Sequence, residues 1–336
     1  MSITPSSENL FDVLIIGAGP IGIACALECK KTGLNYIVIE KGTLTNSLFN
    51  YPLNMSFFST SEKLELDEIP FISNNPKPSR NEALEYYRRV ATSNKLCINL
   101  YEKILSVEKT ENHFNIVSEK NIYKAKNVIV STGFYDIPKT LDVPGEELPK
   151  VMHYYKEAHP FVMQKVVVVG ASNSSVDAAL EVWRKGGEVT MVIRGKEIGD
   201  RVKYWVKPDI ENRIKEGSIK AYFNAEIEKI TETEVFINTP NGKEILKNDF
   251  VIALTGYKPD FDFLKKLGVQ FSEDENKLPQ YNPQTMETNV KGLYLAGVIC
   301  GGMETHKWFI ENSRIHSKLI TKSISEKLIP SKIKVK

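Results

Sequence analysis

The sequence predicts an α/β protein built from two Rossmann-like dinucleotide-binding domains, the first of them discontinuous. Three observations carry this prediction. A strand, a glycine-rich turn, a helix and a second strand follow one another in residues 12–40, and the same order returns in residues 165–193. Three further apolar strands each end in a glycine turn, at Gly133, Gly256 and Gly297. Strands that alternate with helices are typical of parallel sheets.

The first repeat has the glycine spacing of a dinucleotide fingerprint. Gly17 permits a tight turn, Gly19 lets a pyrophosphate approach the backbone, and Gly22 lets the helix pack on the strand. The phosphates would then lie at the helix N-terminus. Glu40 ends the second strand, where a carboxylate accepts hydrogen bonds from ribose hydroxyls. The alternative is a glycine turn without ligand. The predicted site comprises Gly17, Gly19, Pro20, Ile21, Gly22, Glu40 and Lys41.

The second repeat differs at two informative places. Ser172 and Ser175 replace the second and third glycines, so a pyrophosphate lies less close, which fits a cofactor that binds and leaves. Arg194 stands where the first repeat has its acid, and a guanidinium suits the 2′-phosphate of NADPH. The alternative is a solvated basic loop. The pattern predicts NADPH over NADH, at Gly170, Ser172, Asn173, Ser174, Arg194, Lys196 and Arg201.

An acid in one repeat and an arginine in the other suggest an FAD domain and an NADPH domain. Two further strands end at Thr132-Gly133 and Thr255-Gly256, and the resemblance to two-dinucleotide flavoproteins implies that such turns mark the crossings between the domains. We expect the FAD domain to comprise residues 1–137 and 257–336, with the NADPH domain at 138–256 between its parts. Residues 98–125 alternate apolar and polar side chains, which predicts an antiparallel β meander covering the flavin sheet. A last helix is predicted over about Thr305 to Lys322.

Composition narrows the class of protein. The chain has 336 residues, enough for two domains, with 42% hydrophobic and 26% charged residues. A net charge of +2 gives no support to nucleic acid or an anionic membrane as a partner. Met1 to Leu10 lacks the basic and apolar regions of a signal peptide, so we expect a cytoplasmic protein. No metal site is predicted.

The whole chain resembles the two-domain flavoprotein reductases of the thioredoxin-reductase type, and more closely the bacillithiol-disulfide reductase family. The resemblance implies FAD and NADPH as cofactors and a small-molecule disulfide as substrate. It also implies that Phe58, Thr132, Gly133, Gly297 and Val298 contact FAD, with the last helix beginning at the flavin pyrimidine. The residues that carry the resemblance are Asn50-Tyr51-Pro52, Phe57-Phe58-Ser59-Thr60-Ser61, Ile69-Pro70-Phe71, Tyr86-Tyr87-Arg88, His153-Tyr154-Tyr155-Lys156-Glu157-Ala158-His159-Pro160, Ala296-Gly297-Val298-Ile299 and Phe309-Ile310-Glu311-Asn312.

The cysteines separate this chain from ordinary thioredoxin reductases. Those enzymes carry a C-x-x-C pair in the NADPH domain, whereas Cys25, Cys29, Cys97 and Cys300 all lie elsewhere. We expect the first three to be structural and consider Cys300 as a low-pKa thiol at the flavin. Some members of the resembled family have a redox cysteine where this chain has Ile21. His153 is a candidate acid group.

The resulting hypothesis is hydride transfer from NADPH to FAD, followed by reduction of a low-molecular-weight disulfide such as bacillithiol disulfide. Two alternatives remain open. Ile69-Pro70-Phe71 and the second glycine loop also resemble flavin-containing monooxygenases, but Val143 replaces their fingerprint phenylalanine. A ferredoxin- or redoxin-coupled NADPH reductase would also lack C-x-x-C. A homo-oligomer is a further open alternative, since relatives associate.

Overall fold

The computed structural model describes the backbone of residues 10–333 and the side chains of residues 10–328. Residues 1–9, on which the prediction about a targeting segment rests, lie outside the described residues. The strands are β1 Leu10–Ile16, β2 Tyr36–Ile39, β3 Ile98–Asn99, β4 Ile104–Lys109, β5 Phe114–Ser118, β6 Ile122–Val130, β7 Val151–Met152, β8 Lys165–Val169, β9 Glu188–Ile193, β10 Lys220–Phe223, β11 Glu226–Ile230, β12 Glu234–Thr239, β13 Gly242–Lys247, β14 Phe250–Ala253 and β15 Leu293–Leu295. The helices are α1 Pro20–Lys31, α2 Asn46–Asn50, α3 Ser61–Leu64, α4 Arg80–Ser93, α5 Asn173–Arg184, α6 Lys207–Lys215, α7 Phe261–Lys266, α8 Ile310–Ser313 and α9 Ile315–Ile333, with short 3₁₀ turns at His159–Phe161 and Val298–Gly301.

The chain divides into two compact units. Of the described residues, the first unit contains 10–50, 55–137 and 257–333, and the second contains 51–54 and 138–256. Two hydrogen bonds connect the short segment 51–54 to the rest of the second unit. Leu53 N donates to Lys156 O at 2.9 Å, and Asn54 Nδ2 donates to Glu181 Oε1 at 2.6 Å.

The sheet of the first unit has the strand order β3-β2-β1-β6-β5-β4, and β15 also pairs with β6. The strands β1, β2, β3 and β15 run parallel to their neighbours, whereas β4 and β5 form the predicted antiparallel meander. The meander extends the same sheet, and the prediction that it covers the sheet is wrong. The reason is β6, a single nine-residue strand that pairs with β5 at its start and with β15 at its end.

Helix α1 is enclosed on most of its surface. Pro20 occupies its first turn, where the missing backbone N–H costs no hydrogen bond. Residues from Ile21 to Leu27 are all buried, because the helix packs on β1 and β2 on one side and on α9 and α4 on others. This enclosure explains why α1 shows almost no polar face in the sequence.

The second unit has a fully parallel sheet with the order β10-β9-β8-β14-β7. Alternate residues of β8 serve two cores: Val166 and Val168 pack with α5, while Val167 and Val169 pack with the antiparallel sheet β11-β12-β13. Burial on both faces accounts for the unbroken apolar run Val166–Val169 in the sequence. Together the two units confirm the predicted α/β class with two Rossmann-like folds.

The last helix departs from its prediction at both ends. It was expected from Thr305 to Lys322, but α8 begins only at Ile310 and α9 runs on to Ile333. Asn312 Oδ1 accepts a hydrogen bond from Phe309 N at 2.7 Å and so fixes the later start. Among the described residues, no helix combines the length and apolar character needed to cross a membrane.

Candidate functional site

The first glycine loop is shaped by contacts that leave no room for side chains. Gly17 has φ +103°, and a Cβ there would lie 2.8 Å from the carbonyl oxygen of Ser131. A Cβ on Gly22 would lie 1.9 Å from Gly17 O. The Ser131 hydroxyl donates to Ile16 O and Gly17 O, each at 3.0 Å. Sequence reasoning missed Ser131, although it directly precedes the Thr132-Gly133 turn.

The other side of this loop is open and suited to an anion. A Cβ on Gly19 would meet nothing within 4 Å. Gly19 caps α1 without any side-chain hydrogen bond, and no acidic residue lies in the first helical turn. The free N–H groups and the positive end of the helix dipole therefore face open space. The loop fits the pyrophosphate of a dinucleotide.

Glu40 lies beside this opening and is held by the backbone. Its carboxylate accepts hydrogen bonds from Ala18 N at 2.8 Å and from Gly42 N at 2.9 Å, one on each oxygen. Burial raises the pKa of Glu40, and the two hydrogen bonds oppose that rise. Each oxygen still has one lone-pair position, so the carboxylate can accept two ribose hydroxyls. Lys41 is exposed and pairs with Asp136 at 2.8 Å.

The last strand brings Gly297 to α1 and α9. Gly297 has φ +86°, and a Cβ there would lie 3.4 Å from Ile21 Cγ1. Gly297 N donates to His316 Nδ1 at 3.1 Å. His316 is 1% exposed, and burial lowers its pKa to about 4. It was not singled out in the sequence, since nothing local marks it, and it fastens the Gly297 turn to the start of α9.

The remaining residues expected at FAD are spread over several elements of the first unit. Thr132 and Val298 are partly buried, and Gly133 has φ +72°. Phe58 is 55% exposed, with Lys77 Nζ 4.9 Å from the centre of its ring. Its neighbour Phe57 is buried and belongs to the core. The contact of these side chains with flavin stays a prediction.

The second glycine loop repeats the construction of the first. Gly170 has φ +122°, and a Cβ there would lie 2.7 Å from Leu254 O, as Gly17 meets Ser131 O in the first unit. Ser175 is fully buried, and its hydroxyl accepts from Ser172 N at 3.0 Å and donates to Ser172 O at 2.9 Å. It thus stabilises the turn that opens α5. Ser172 and Ser174 are exposed at the helix N-terminus, where no acidic residue lies in the first turn.

The three cations predicted to read the NADPH phosphate are all exposed. Arg194 directly follows β9, and Lys196 pairs loosely with Glu197 at 3.6 Å. Arg201 lies in a segment attached to the second loop, because Asn173 Nδ2 donates to Arg201 O at 3.0 Å. Exposed cations that follow β9, together with a helix whose first turn carries no acidic residue, fit the phosphates of NADPH.

His153 has a local partner in the second unit. Its Nε2 lies 3.3 Å from Glu146 Oε1. The same carboxylate accepts from Leu141 N at 2.6 Å and Asp142 N at 2.7 Å. The geometry therefore places His153 in a cluster that holds the 141–146 loop, and a catalytic role stays a prediction.

The expectation of a low-pKa Cys300 thiol is wrong. Cys300 is 1% exposed, and burial raises its pKa, with Cys25 adding to the rise. Its Sγ lies 3.9 Å from His316 Nδ1, but burial favours the neutral forms of both groups. Cys25 and Cys29 are also buried, as expected, and burial raises the pKa of Cys25 to about 12.

Comparison with known proteins gives the family. Residues 14–297 match the model of the pyridine nucleotide-disulphide oxidoreductases. Bacilliredoxin reductase Bdr of Bacillus subtilis is 45% identical over 316 residues, which cover 94% of this chain and 97% of that protein. The chain belongs to the pyridine nucleotide-disulphide oxidoreductases, in the Bdr family.

Two solved Bdr structures agree with this assignment. Bacillithiol Disulfide Reductase Bdr (YpdA) from Bacillus cereus is 43% identical and superposes with a TM-score of 0.93, over 95% of this chain and 100% of that one. The protein of the same name from Staphylococcus aureus is 40% identical with a TM-score of 0.93, over 95% and 99% of the two chains. This Bdr-family protein is a flavoprotein disulfide oxidoreductase, and its cofactors are FAD and NADPH.

Proposed function

We propose that the first unit binds FAD at its glycine loop. The open space before Gly19, the uncapped N-terminus of α1 and the spare acceptors of Glu40 support this assignment. Gly297, held by His316, presents the last strand to the same loop, since it lies against Ile21. In this proposal Pro20, Ile21 and Gly22 line the pyrophosphate site, and Lys41, Phe58, Thr132, Gly133 and Val298 contact other parts of FAD.

The second unit is the proposed NADPH domain. Gly170, Ser172, Asn173 and Ser174 would hold the pyrophosphate at the N-terminus of α5, with Asn173 contributing its backbone N–H, because both ends of its side-chain amide are bonded within the protein. Arg194, Lys196 and Arg201 would contact the 2′-phosphate, because they are exposed cations on the segments that follow β9. An acid takes this place where a bare ribose is read, and Glu40 has it in the first unit.

The proposed reaction is the NADPH-dependent reduction of bacillithiol disulfide. The observation that carries it is the 45% identity to Bdr of Bacillus subtilis over nearly the whole chain, together with two similar structures named bacillithiol disulfide reductase. Bound FAD would supply the two-electron chemistry between NADPH and the disulfide. In the overall reaction, NADPH, the disulfide and one proton from solvent would give NADP⁺ and two thiols.

The chain's own thiols take no part in this proposal. Cys25, Cys29 and Cys300 are buried, and their pKa values are raised, so they supply almost no thiolate at neutral pH. Ile21 is an aliphatic side chain packed against Gly297. The protein therefore orients both cofactors and admits the acceptor, without a dithiol of its own. We also propose a cytoplasmic location, since the four cysteines are free thiols.

The test is anaerobic mixing of the FAD-loaded protein with NADPH, followed by bacillithiol disulfide. We expect the flavin absorbance to bleach and then recover, with two thiols formed for each NADPH oxidised. Bleaching that persists until oxygen is admitted would favour a monooxygenase. If the flavin absorbance recovered only with a ferredoxin or a bacilliredoxin, the electron acceptor would be a protein and not a small disulfide. The name of the Bacillus subtilis relative indicates a bacilliredoxin as the acceptor of that protein.

A further inference from the structure

The segment Gly199–Lys203 is fastened along the first turn of α5. Gly199 N donates to Ala171 O at 2.9 Å, and a Cβ on Gly199 would lie 2.9 Å from that oxygen. The segment thus approaches the second glycine loop as closely as its backbone allows. It carries Arg201, one of the cations proposed to contact the 2′-phosphate of NADPH.

The side-chain amide of Asn173, at the start of α5, bonds to the segment Gly199–Lys203 through both its nitrogen and its oxygen. Its Nδ2 donates to Arg201 O at 3.0 Å, and its Oδ1 accepts from Lys203 N at 2.8 Å. These bonds hold the backbone on either side of Val202, which is itself buried. Asn173 is the first residue of α5, so the backbone of Arg201 is fixed relative to the helix N-terminus.

An ion pair also attaches the segment Gly199–Lys203 to α5, one helical turn after Asn173. Lys203 Nζ donates to Asp177 Oδ2 at 2.7 Å, and Lys203 is only 9% exposed. Lys203 was not singled out in the sequence. Its ammonium is directed to Asp177 on α5, which leaves the exposed guanidinium of Arg201 as the cation that this segment offers to a ligand.

Arg201 is suited to binding a phosphate group of a ligand. Among the described residues, no ion pair involves its guanidinium, whereas nearby Lys196, Lys203 and Lys207 all have carboxylate partners. An arginine whose backbone is held in place loses less conformational entropy when it binds a phosphate than one on a loose loop.

We propose that Asn173 is a positioning residue that determines the NADPH preference by holding Arg201 at the 2′-phosphate. This inference rests on the proposed NADPH site and is independent of the electron acceptor. Removing the Asn173 amide leaves Arg201 O and Lys203 N without their partner, so the segment loosens. The loss falls on ligands that carry a 2′-phosphate and spares those that lack one.

The test compares binding of adenosine 2′,5′-bisphosphate and 5′-AMP by calorimetry, because the two ligands differ only in the 2′-phosphate. With the FAD-loaded full chain, we expect Arg201→Met to weaken the bisphosphate about tenfold and 5′-AMP little. Asn173→Ala should weaken the bisphosphate about fivefold in the same selective way. The double variant should bind the bisphosphate no more weakly than Arg201→Met alone, since Asn173 acts through Arg201.

Matched variants separate this effect from general damage. Lys203→Met breaks the second attachment and should reproduce the selective loss, whereas Lys215→Met removes an exposed charge from α6 and should not. Asn212→Ala, on the same helix, is the control for Asn173→Ala.

Two results would overturn the inference. An equal loss for both ligands in Asn173→Ala would mean that Asn173 only shapes the pyrophosphate loop. Wild-type protein that binds the bisphosphate no better than 5′-AMP would overturn both this inference and the NADPH site. Failure with bacillithiol disulfide would instead leave the binding result standing and affect the proposed acceptor alone.

Discussion

His316 connects the start of α9 to the turn that ends β15. Its Nδ1 accepts the Gly297 N–H, so the proton of the neutral imidazole is on Nε2, which is buried without a hydrogen-bond partner among the described residues. Protonation would place a charge in this buried environment and remove the acceptor of Gly297. That is the physical reason why the folded protein holds His316 neutral.

This arrangement predicts a pH dependence of stability. Burial lowers the pKa of His316 from 6.5 to about 4, so the unfolded state takes up a proton at higher pH than the folded state. Neutral His316 therefore contributes stability that is fully present above pH 6.5 and is lost as the pH falls towards 4. At pH 5 this loss should lower the free energy of unfolding by about 2 kcal/mol. Urea unfolding of wild type and His316→Asn at pH 7 and 5 measures it.

The asparagine introduced by that variant could still accept from Gly297 N–H but would not titrate, so the difference between the two proteins should shrink as the pH falls. His306→Asn is the control, because His306 is exposed. Equal pH dependence in wild type and His316→Asn would contradict the assignment.

Arg194 carries the second prediction at this scale. In Arg194→Glu, the new carboxylate would repel a 2′-phosphate and accept hydrogen bonds from a bare ribose. We expect the ratio of kcat/KM for NADPH to that for NADH to fall about 100-fold. The same charge reversal in Lys185→Glu, at the opposite end of α5, should leave the ratio unchanged. Steady-state reduction of flavin with each nucleotide provides the measurement.

At the scale of elements, the strand-loop-helix unit from β1 to α1 separates two functions of glycine. Gly22 faces inward, where a Cβ would lie 1.9 Å from Gly17 O. Gly19 has φ −71°, which any residue adopts, and open space in front of it. One glycine is therefore required by packing, and the other by the proposed ligand.

The two glycines should respond differently to the same substitution. Gly22→Ala should lower the free energy of unfolding by about 3 kcal/mol, because the helix must move away from the strand. Gly19→Ala should change it by less than about 1 kcal/mol but weaken FAD binding about tenfold, since the methyl group occupies phosphate space. Urea unfolding of the apoprotein and FAD titration separate the two effects. Intact FAD affinity in Gly19→Ala would place the pyrophosphate elsewhere.

The elements also show how far local patterns reach. Helix α4 begins with a capping box, in which Ser79 and Glu82 make both reciprocal hydrogen bonds. The start of the last helix was predicted too early, because Phe309, the residue that precedes α8, is not of a type that usually caps a helix. A helix start that uses a typical capping residue can be read from a sequence, whereas a start that lacks one cannot.

For the whole molecule, the distribution of thiols predicts a reactivity pattern. Cys25, Cys29 and Cys300 are buried, and only Cys97 is partly exposed. A thiol reagent should therefore modify at most one cysteine in the native protein and all four after unfolding in urea. Because the proposed reaction uses no protein thiol, disulfide reduction should survive this modification. If the thiol reagent instead abolished disulfide reduction, and NADPH prevented that loss, the proposal would be contradicted.

The sequence by itself determined the two dinucleotide folds, their glycine loops and the difference between Glu40 and Arg194. These features depend on backbone conformation and charge within short segments, which the local order of residues fixes. Tertiary structure decided the burial of Cys300, the attachment of His316 to Gly297 and the attachment of Arg201 to Asn173. The contacts involved, from Cys300 and Gly297 to His316 and from Arg201 to Asn173, join residues 16 or more positions apart. Only folding brings such residues together.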